Sequence, residues 1–172
     1  MDYLTHLDRK EPSKAIRQTP GLGYTYPVKY WDFHVYYESD TKEESDKLRE
    51  KLLIDFEQEG KEGLIIVKKL PKDVAIGPHY TPFWEVDVTR VEIFAKLISW
   101  FLLNHGTLSV LIHPQTGDDL RDHTNAALWL GKRLELKTHI FSPTPAGIAE
   151  FGVKGGAHIK PEDFDTWVTK FD

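Results

Sequence analysis

The chain has 172 residues, 40% of them hydrophobic and 28% charged, which is enough for one well-cored domain and short of two. It has no cysteine, so disulfides, thiolate zinc sites, iron–sulfur clusters and a cysteine nucleophile are excluded, and any metal must be held by nitrogen and oxygen. The net charge of −5 comes without a basic run, and the longest apolar stretch, Ile93–Leu103, is interrupted by Lys96; nucleic acid is therefore an unfavoured partner and a membrane span is not expected.

Residues 1–29 are polar, carry Pro12, Pro20, Gly21 and Gly23, and read as an N-terminal arm. With no apolar stretch behind a basic start, the arm is not read as a secretory signal, and a cytoplasmic location is expected. The domain proper is expected over residues 30–141. It opens with a strand from Tyr30 to Tyr37, in which Trp31, Phe33, Val35 and Tyr37 point one way and Asp32, His34 and Tyr36 the other. Asp40 with Glu43 forms a capping pattern for a helix driven by Leu48, Leu52, Leu53 and Phe56 and ended by Gly60. Leu64–Val67 predicts a short strand, which Lys68, Lys69 and Pro71 stop.

Pro78 and Pro82 bracket His79. Phe83–Val88 then alternates, with Trp84, Val86 and Val88 on the apolar face and Phe83, Glu85 and Asp87 on the other. Thr89 with Glu92 predicts a second helix start, Val91, Phe94, Ile98, Phe101 and Leu102 drive the helix, and Gly106 ends it. Leu108, Val110 and Ile112 alternate with Ser109, Leu111 and His113 in a fourth strand. A polar loop leads to a short helix expected over Thr124–Leu130 and a strand over Leu134–Phe141. Residues 142–172 are expected as a tail packed on the same domain.

The resulting order, β-α-β-β-α-β with C-terminal extras, predicts an α+β ferredoxin-like fold: an antiparallel sheet with both helices on one face. The other face bears Tyr36 and Phe83 and needs a cover, from a second subunit in a homodimer, from the tail or from a ligand. On the same parity argument this open face displays His34, Glu85 and His113 from the first, third and fourth strands. Imidazole with carboxylate is ligand chemistry for Fe(II), Mn(II) or Zn(II), and a facial set that leaves positions free is the pattern of non-haem iron oxygenases. His79 joins such a set only if the prolines bend its segment back, since strand rise alone would leave it about 20 Å from Glu85. His123, beside Asp122 and ten residues beyond His113, is a candidate for acid–base work. His6, His105, His139 and His158 read as structural or solvated.

The strings Trp31-Asp32-Phe33-His34-Val35-Tyr36-Tyr37, Gly77-Pro78-His79, His113-Pro114-Gln115-Thr116-Gly117-Asp118, Asp122-His123 and Leu128-Trp129-Leu130-Gly131 together resemble the DOPA 4,5-dioxygenase family of fungi and bacteria. The likeness runs from about Tyr30 to Phe141. It implies a ferredoxin-like fold and extradiol ring opening of L-DOPA or a related catechol by O2, with ferrous iron expected and Zn(II) or another divalent ion able to take the same donors. On that reading His34, His79 and His113 hold the metal, or Glu85 replaces one of them. His123 moves protons, and Tyr36 and Glu85 face the substrate, with Trp129 sharing an aromatic wall. Two readings compete: a metal-free ferredoxin-like dimeric module that binds or oxidises a small aromatic ligand, and a structural dimerisation domain.

Overall fold

The computed structural model describes Val28 and residues 30–70, 72–88, 90–116, 118–141 and 168–171. Most of the expected arm, most of the tail and Thr89 lie outside them. Five strands, β1 (Trp31–Tyr36), β2 (Ile65–Lys69), β3 (Phe83–Val88), β4 (Ser109–Pro114) and β5 (Leu128–Leu130), form one antiparallel sheet in the order β2-β3-β1-β4-β5. Helices α1 (Lys42–Asp55) and α3 (Val91–Asn104) connect β1 to β2 and β3 to β4, with the short α2 (Glu57–Lys61) after α1. The first four strands reproduce the expected ferredoxin-like arrangement, and β5 extends it at the β4 edge.

The parity read from the sequence holds. Phe33, Val35, Trp84, Val86, Val110 and Ile112 are fully buried with Leu52, Leu97 and Phe101 of the two long helices. Complete burial of such a side chain contributes about 1.5–3 kcal/mol, so this layer fixes which face each strand turns inward. Trp84, the largest of them, still needs a partner for its indole N–H, and it donates to Ser45 Oγ on α1 at 2.9 Å. On the opposite face Tyr36, Phe83, Leu70 and Leu111 make a second, smaller cluster with Ile76, Trp129, Leu134 and Leu136. Leu70, Ile76 and the segment around residues 127–136 thus cover part of the face for which a second subunit, the tail or a ligand is the expected cover.

Several local expectations are corrected. The helix expected from Asp40 starts at Lys42 with Thr41 as N-cap, whose hydroxyl accepts from the Glu38 N–H at 2.9 Å instead of capping the helix. It also breaks at Phe56, which is fully buried and leaves helical geometry. At the second long helix Arg90 is the N-cap and makes no side-chain cap bond. The second strand runs on through Lys68 and Lys69, because Lys68 finds Glu85 and Asp87 and Lys69 finds Asp46, so neither charge is left to stop it. The helix expected over Thr124–Leu130 forms earlier, as α4 (Asp119–His123), where Asp118 accepts from the Arg121 N–H at 3.1 Å. Leu128–Leu130 instead pairs with β4, and a 3₁₀ turn, Thr138–Phe141, replaces the second half of the expected last strand. An open edge on β4 offered pairing that local helical spacing could not match.

Candidate functional site

His34 lies on β1 and His113 on β4, adjacent strands, and their Nε2 atoms are 2.9 Å apart. His79 reaches them because Gly77, at φ +57, and Pro78 bend the chain, which is then pinned by the His79–Leu136 bridge and by the Lys137 N–H donating to Pro78 O at 2.8 Å. His123 closes the group from α4. Asp122, only 2% exposed, accepts from the Thr116 N–H and the Thr116 hydroxyl, both at 2.7 Å, and so folds the loop after β4 back on itself. The rings of His113 and His123 come to 4.0 Å, those of His34 and His79 to 4.7 Å, and Phe141 packs against His123 at 5.0 Å.

The four imidazoles singled out in the sequence therefore meet on the open face. Among the described residues two trios offer donor atoms within 4.8 Å of one another, His34 with His79 and His123, and Asp32 with His34 and His113. Glu85 stands beside this group: its Oε2 is 3.3 Å from His34 Nδ1 and its Oε1 2.6 Å from Lys68 Nζ. Tyr36 spends its hydroxyl on His79 Nδ1 at 2.7 Å, and its ring stacks on Trp129 at 5.7 Å. Of the remaining histidines, His105 bonds Leu108 O at the end of α3, His139 is exposed, and His6 and His158 are outside the described residues. Asp32, Lys68 and Asp87 join the site in the fold and are not among its candidates by sequence. Asp32 and Asp87 share the strand parity of His34 and Glu85, so the alternation that found the histidines also pointed to them.

Electrostatics and tautomers define what this cluster can do. Burial, followed by the neighbouring imidazoles, pushes His34 and His79 well below their ordinary range. Burial also lowers His113, and burial with His113 lowers His123 to about 4. All four are neutral at pH 7. His113 Nδ1 is 2.9 Å from Pro114 O and His123 Nδ1 is 2.8 Å from Asp119 O, and since a carbonyl only accepts, both must be Nδ1–H tautomers with bare Nε2 lone pairs. If His34 is also Nδ1–H, two lone pairs face each other across 2.9 Å; if it is Nε2–H, its Nδ1 lone pair faces the Glu85 carboxylate. Either tautomer leaves a repulsive contact that a cation on the Nε2 atoms removes.

The spacing fits as well, because two nitrogens bound at about 2.1 Å and at right angles stand about 3 Å apart. The surrounding charge agrees. Three carboxylates, Asp32, Glu85 and Asp87, share one described ammonium, Lys68. Burial and Glu85 raise Asp32 to about 6, and burial and Asp32 raise Asp87 to about 8, the response expected of buried acids held near one another. The residues present fit a divalent metal held by imidazole.

Antiparallel sheet, two helices on one face and a histidine cluster on the other define the class, and the comparisons then give the family. Residues 31–140 match the model of the Dopa 4,5-dioxygenase family, and the chain belongs to that family. It is 32% identical over 112 residues to a DOPA 4,5-dioxygenase of Amanita muscaria, covering 63% of this chain and 48% of that protein. It is 41% identical over 68 residues to an uncharacterised 21.2 kDa protein of Botryotinia fuckeliana, covering 36% of this chain and 37% of that one. The chain thus spans less than half the length of either curated relative. A crystal structure of a candidate dioxygenase from Nostoc punctiforme superposes with a TM-score of 0.59 at 30% identity, covering 67% of this chain and 93% of that one. Among the described residues no helix is long and apolar enough to cross a membrane.

Proposed function

We propose that this protein is a non-haem iron dioxygenase that opens the ring of L-DOPA or a related catechol by extradiol cleavage. The observation that carries the reading is His34 held between two acceptors, the bare Nε2 of His113 at 2.9 Å from its Nε2 and Glu85 Oε2 at 3.3 Å from its Nδ1, so that neither neutral tautomer of His34 suits both neighbours. His34, His79 and His113 would hold Fe(II). The ion supplies a site where catechol and O2 are brought together and electrons pass between them.

The chain's own residues do the rest. The Pro114 carbonyl fixes both ring and tautomer of His113, and the Tyr36 hydroxyl fixes the His79 ring and leaves its Nε2 bare when it accepts from Nδ1–H. His123 is neutral, and its Nε2 lone pair can take a catechol hydroxyl proton while Asp119 O accepts from Nδ1–H and steadies the imidazolium that forms. Trp129, half-buried and backed by Tyr36, presents an aromatic face to the substrate ring.

A second reading, in which His123 replaces His113 as the third ligand, is favoured by the mutual 4.8 Å spacing of His34, His79 and His123. To test the proposal, the full chain is loaded with Fe(II) without oxygen, mixed with L-DOPA and then exposed to air. A yellow ring-opened product is expected. Stoichiometric iron with no cleavage of L-DOPA or simpler catechols refutes it.

A further inference from the structure

Two rows of polar side chains cross the open face. Lys68, Glu85 and His34 stand side by side on β2, β3 and β1, and Asp87, Asp32 and His113 stand side by side on β3, β1 and β4. Lys68 joins the rows, with Nζ 2.6 Å from Glu85 Oε1 and 2.7 Å from Asp87 Oδ2. Its side chain is only 10% exposed. Position 68 shares a face with Ile66, so an apolar residue would serve packing there, and a buried ammonium is costly unless its partners are held in place.

The four imidazoles are backed unequally. Oxygens lie 2.7 to 2.9 Å from Nδ1 of His79, His113 and His123, and all three are uncharged: a phenol hydroxyl and two backbone carbonyls. His34 Nδ1 is buried and makes no hydrogen bond among the described residues, and Glu85 Oε2 lies 3.3 Å away. The other carboxylate oxygen is tied to Lys68, so Glu85 is kept on the Nδ1 side of the ring. His34 also belongs to both trios whose donor atoms lie within 4.8 Å of one another among the described residues.

We propose that Glu85 is the positioning residue of His34 in a metal centre, and that Lys68 holds Glu85 in that role. The proposal rests on the histidine cluster being a metal centre. An anionic acceptor at Nδ1 selects the tautomer that leaves Nε2 bare, stops the ring from turning and strengthens the nitrogen as a donor. Glu85 would then act through His34 without touching the substrate, and Lys68 would act through Glu85.

The test is cobalt(II) binding to the full chain, followed by its visible absorption and by competition with a chelator. Glu85→Ala should weaken binding by about 10- to 100-fold and change the cobalt spectrum. Glu85→Gln keeps an acceptor oxygen and the side-chain shape, so it should lose less. Lys68→Met should weaken binding in the same direction, and Lys68→Arg should restore it. The double variant Lys68→Met/Glu85→Ala should bind no more weakly than Glu85→Ala, because the two residues act in series.

Wild-type affinity in Glu85→Ala overturns the proposal, as does full multiplication of the two single effects. If Glu85→Ala fails to fold, wild-type affinity and spectrum in Glu85→Gln do the same. Tighter cobalt binding in Lys68→Met also overturns it, since loss of a nearby positive charge would by itself favour a cation. A wild-type chain that binds no cobalt overturns the metal-centre reading together with this one, whereas wild-type binding with no effect of Glu85 overturns this one alone.

Discussion

Asp122 ties the fold to the site, and its removal should be read in both. The carboxylate is 2% exposed and accepts two hydrogen bonds from Thr116, at 2.7 Å from the backbone N–H and 2.7 Å from the hydroxyl. Hydrogen bonds to a charged acceptor are worth about 1.5–3 kcal/mol each, so Asp122→Ala puts about 3–6 kcal/mol at stake. The loop from Gln115 to Asp118 is near the surface and can relax toward water, which places the expected loss at the lower end, about 3 kcal/mol. With a urea dependence of about 2 kcal/mol per molar, the unfolding midpoint should fall by about 1.5 M. Asp122→Asn keeps one acceptor oxygen for the Thr116 N–H and should lose about half as much. Both variants should slow turnover more than they reduce metal content, because the loop carries His123 while His34 and His79 sit on other segments. The measurements are urea unfolding by circular dichroism and metal analysis on the same samples. A midpoint within about 0.3 M of wild type for Asp122→Ala would show that something else closes the loop.

The remaining predictions concern the histidines, acidity and one glycine. His34→Ala and His113→Ala should lose metal and turnover together, whereas His123→Ala should keep the metal and lose about 10² to 10⁴ in rate; if His123→Ala loses metal as fully as His34→Ala, the trio with His123 is the ligand set. For the metal-free protein, the four buried histidines have folded pKa values below their unfolded ones, so the unfolded chain takes up protons first and stability falls as pH drops below about 6.5 toward 4. Asp32 and Asp87 act with the opposite sign, being protonated in the folded state up to about 6 and about 8, so their contribution is lost as pH rises through those values. Four groups outweigh two below pH 6.5, and Asp87 alone acts above it, so urea midpoints without metal should peak near pH 6.5; a flat profile from pH 4.5 to 6.5 refutes the assignment. Gly131 has φ +70, and a Cβ there would lie 2.7 Å from Leu108 O, so Gly131→Ala should lower stability by more than the ~1 kcal/mol that backbone strain alone costs, measured as a lower thermal midpoint.

Alternation in Trp31–Tyr36, Phe83–Val88 and Ser109–Pro114 carried enough information to assign each side chain to a face, because the period of a strand is fixed by its backbone geometry and burial of Phe33, Trp84 or Ile112 leaves no second choice. That parity placed His34, Glu85 and His113 together, and it extended to Asp32 and Asp87 on the same strands. The residues that reach the site from outside the strands were beyond any such rule. His79 arrives through a bend at Gly77 held by contacts to Leu136 and Lys137, and His123 through a loop closed by Asp122 on Thr116, all of them pairings between distant segments. The short helix and β5 both lie earlier in the chain than local spacing predicts for the same reason: a few residues carry weak intrinsic preference, and a free edge on β4 outweighs it. Sequence periodicity determined what each strand presents, whereas the role of a shared polar residue was decided by its neighbours in space. Glu85 is read from the sequence as a ligand or a substrate contact. In the fold it lies between Lys68 and His34, because strand order sets β3 between β2 and β1.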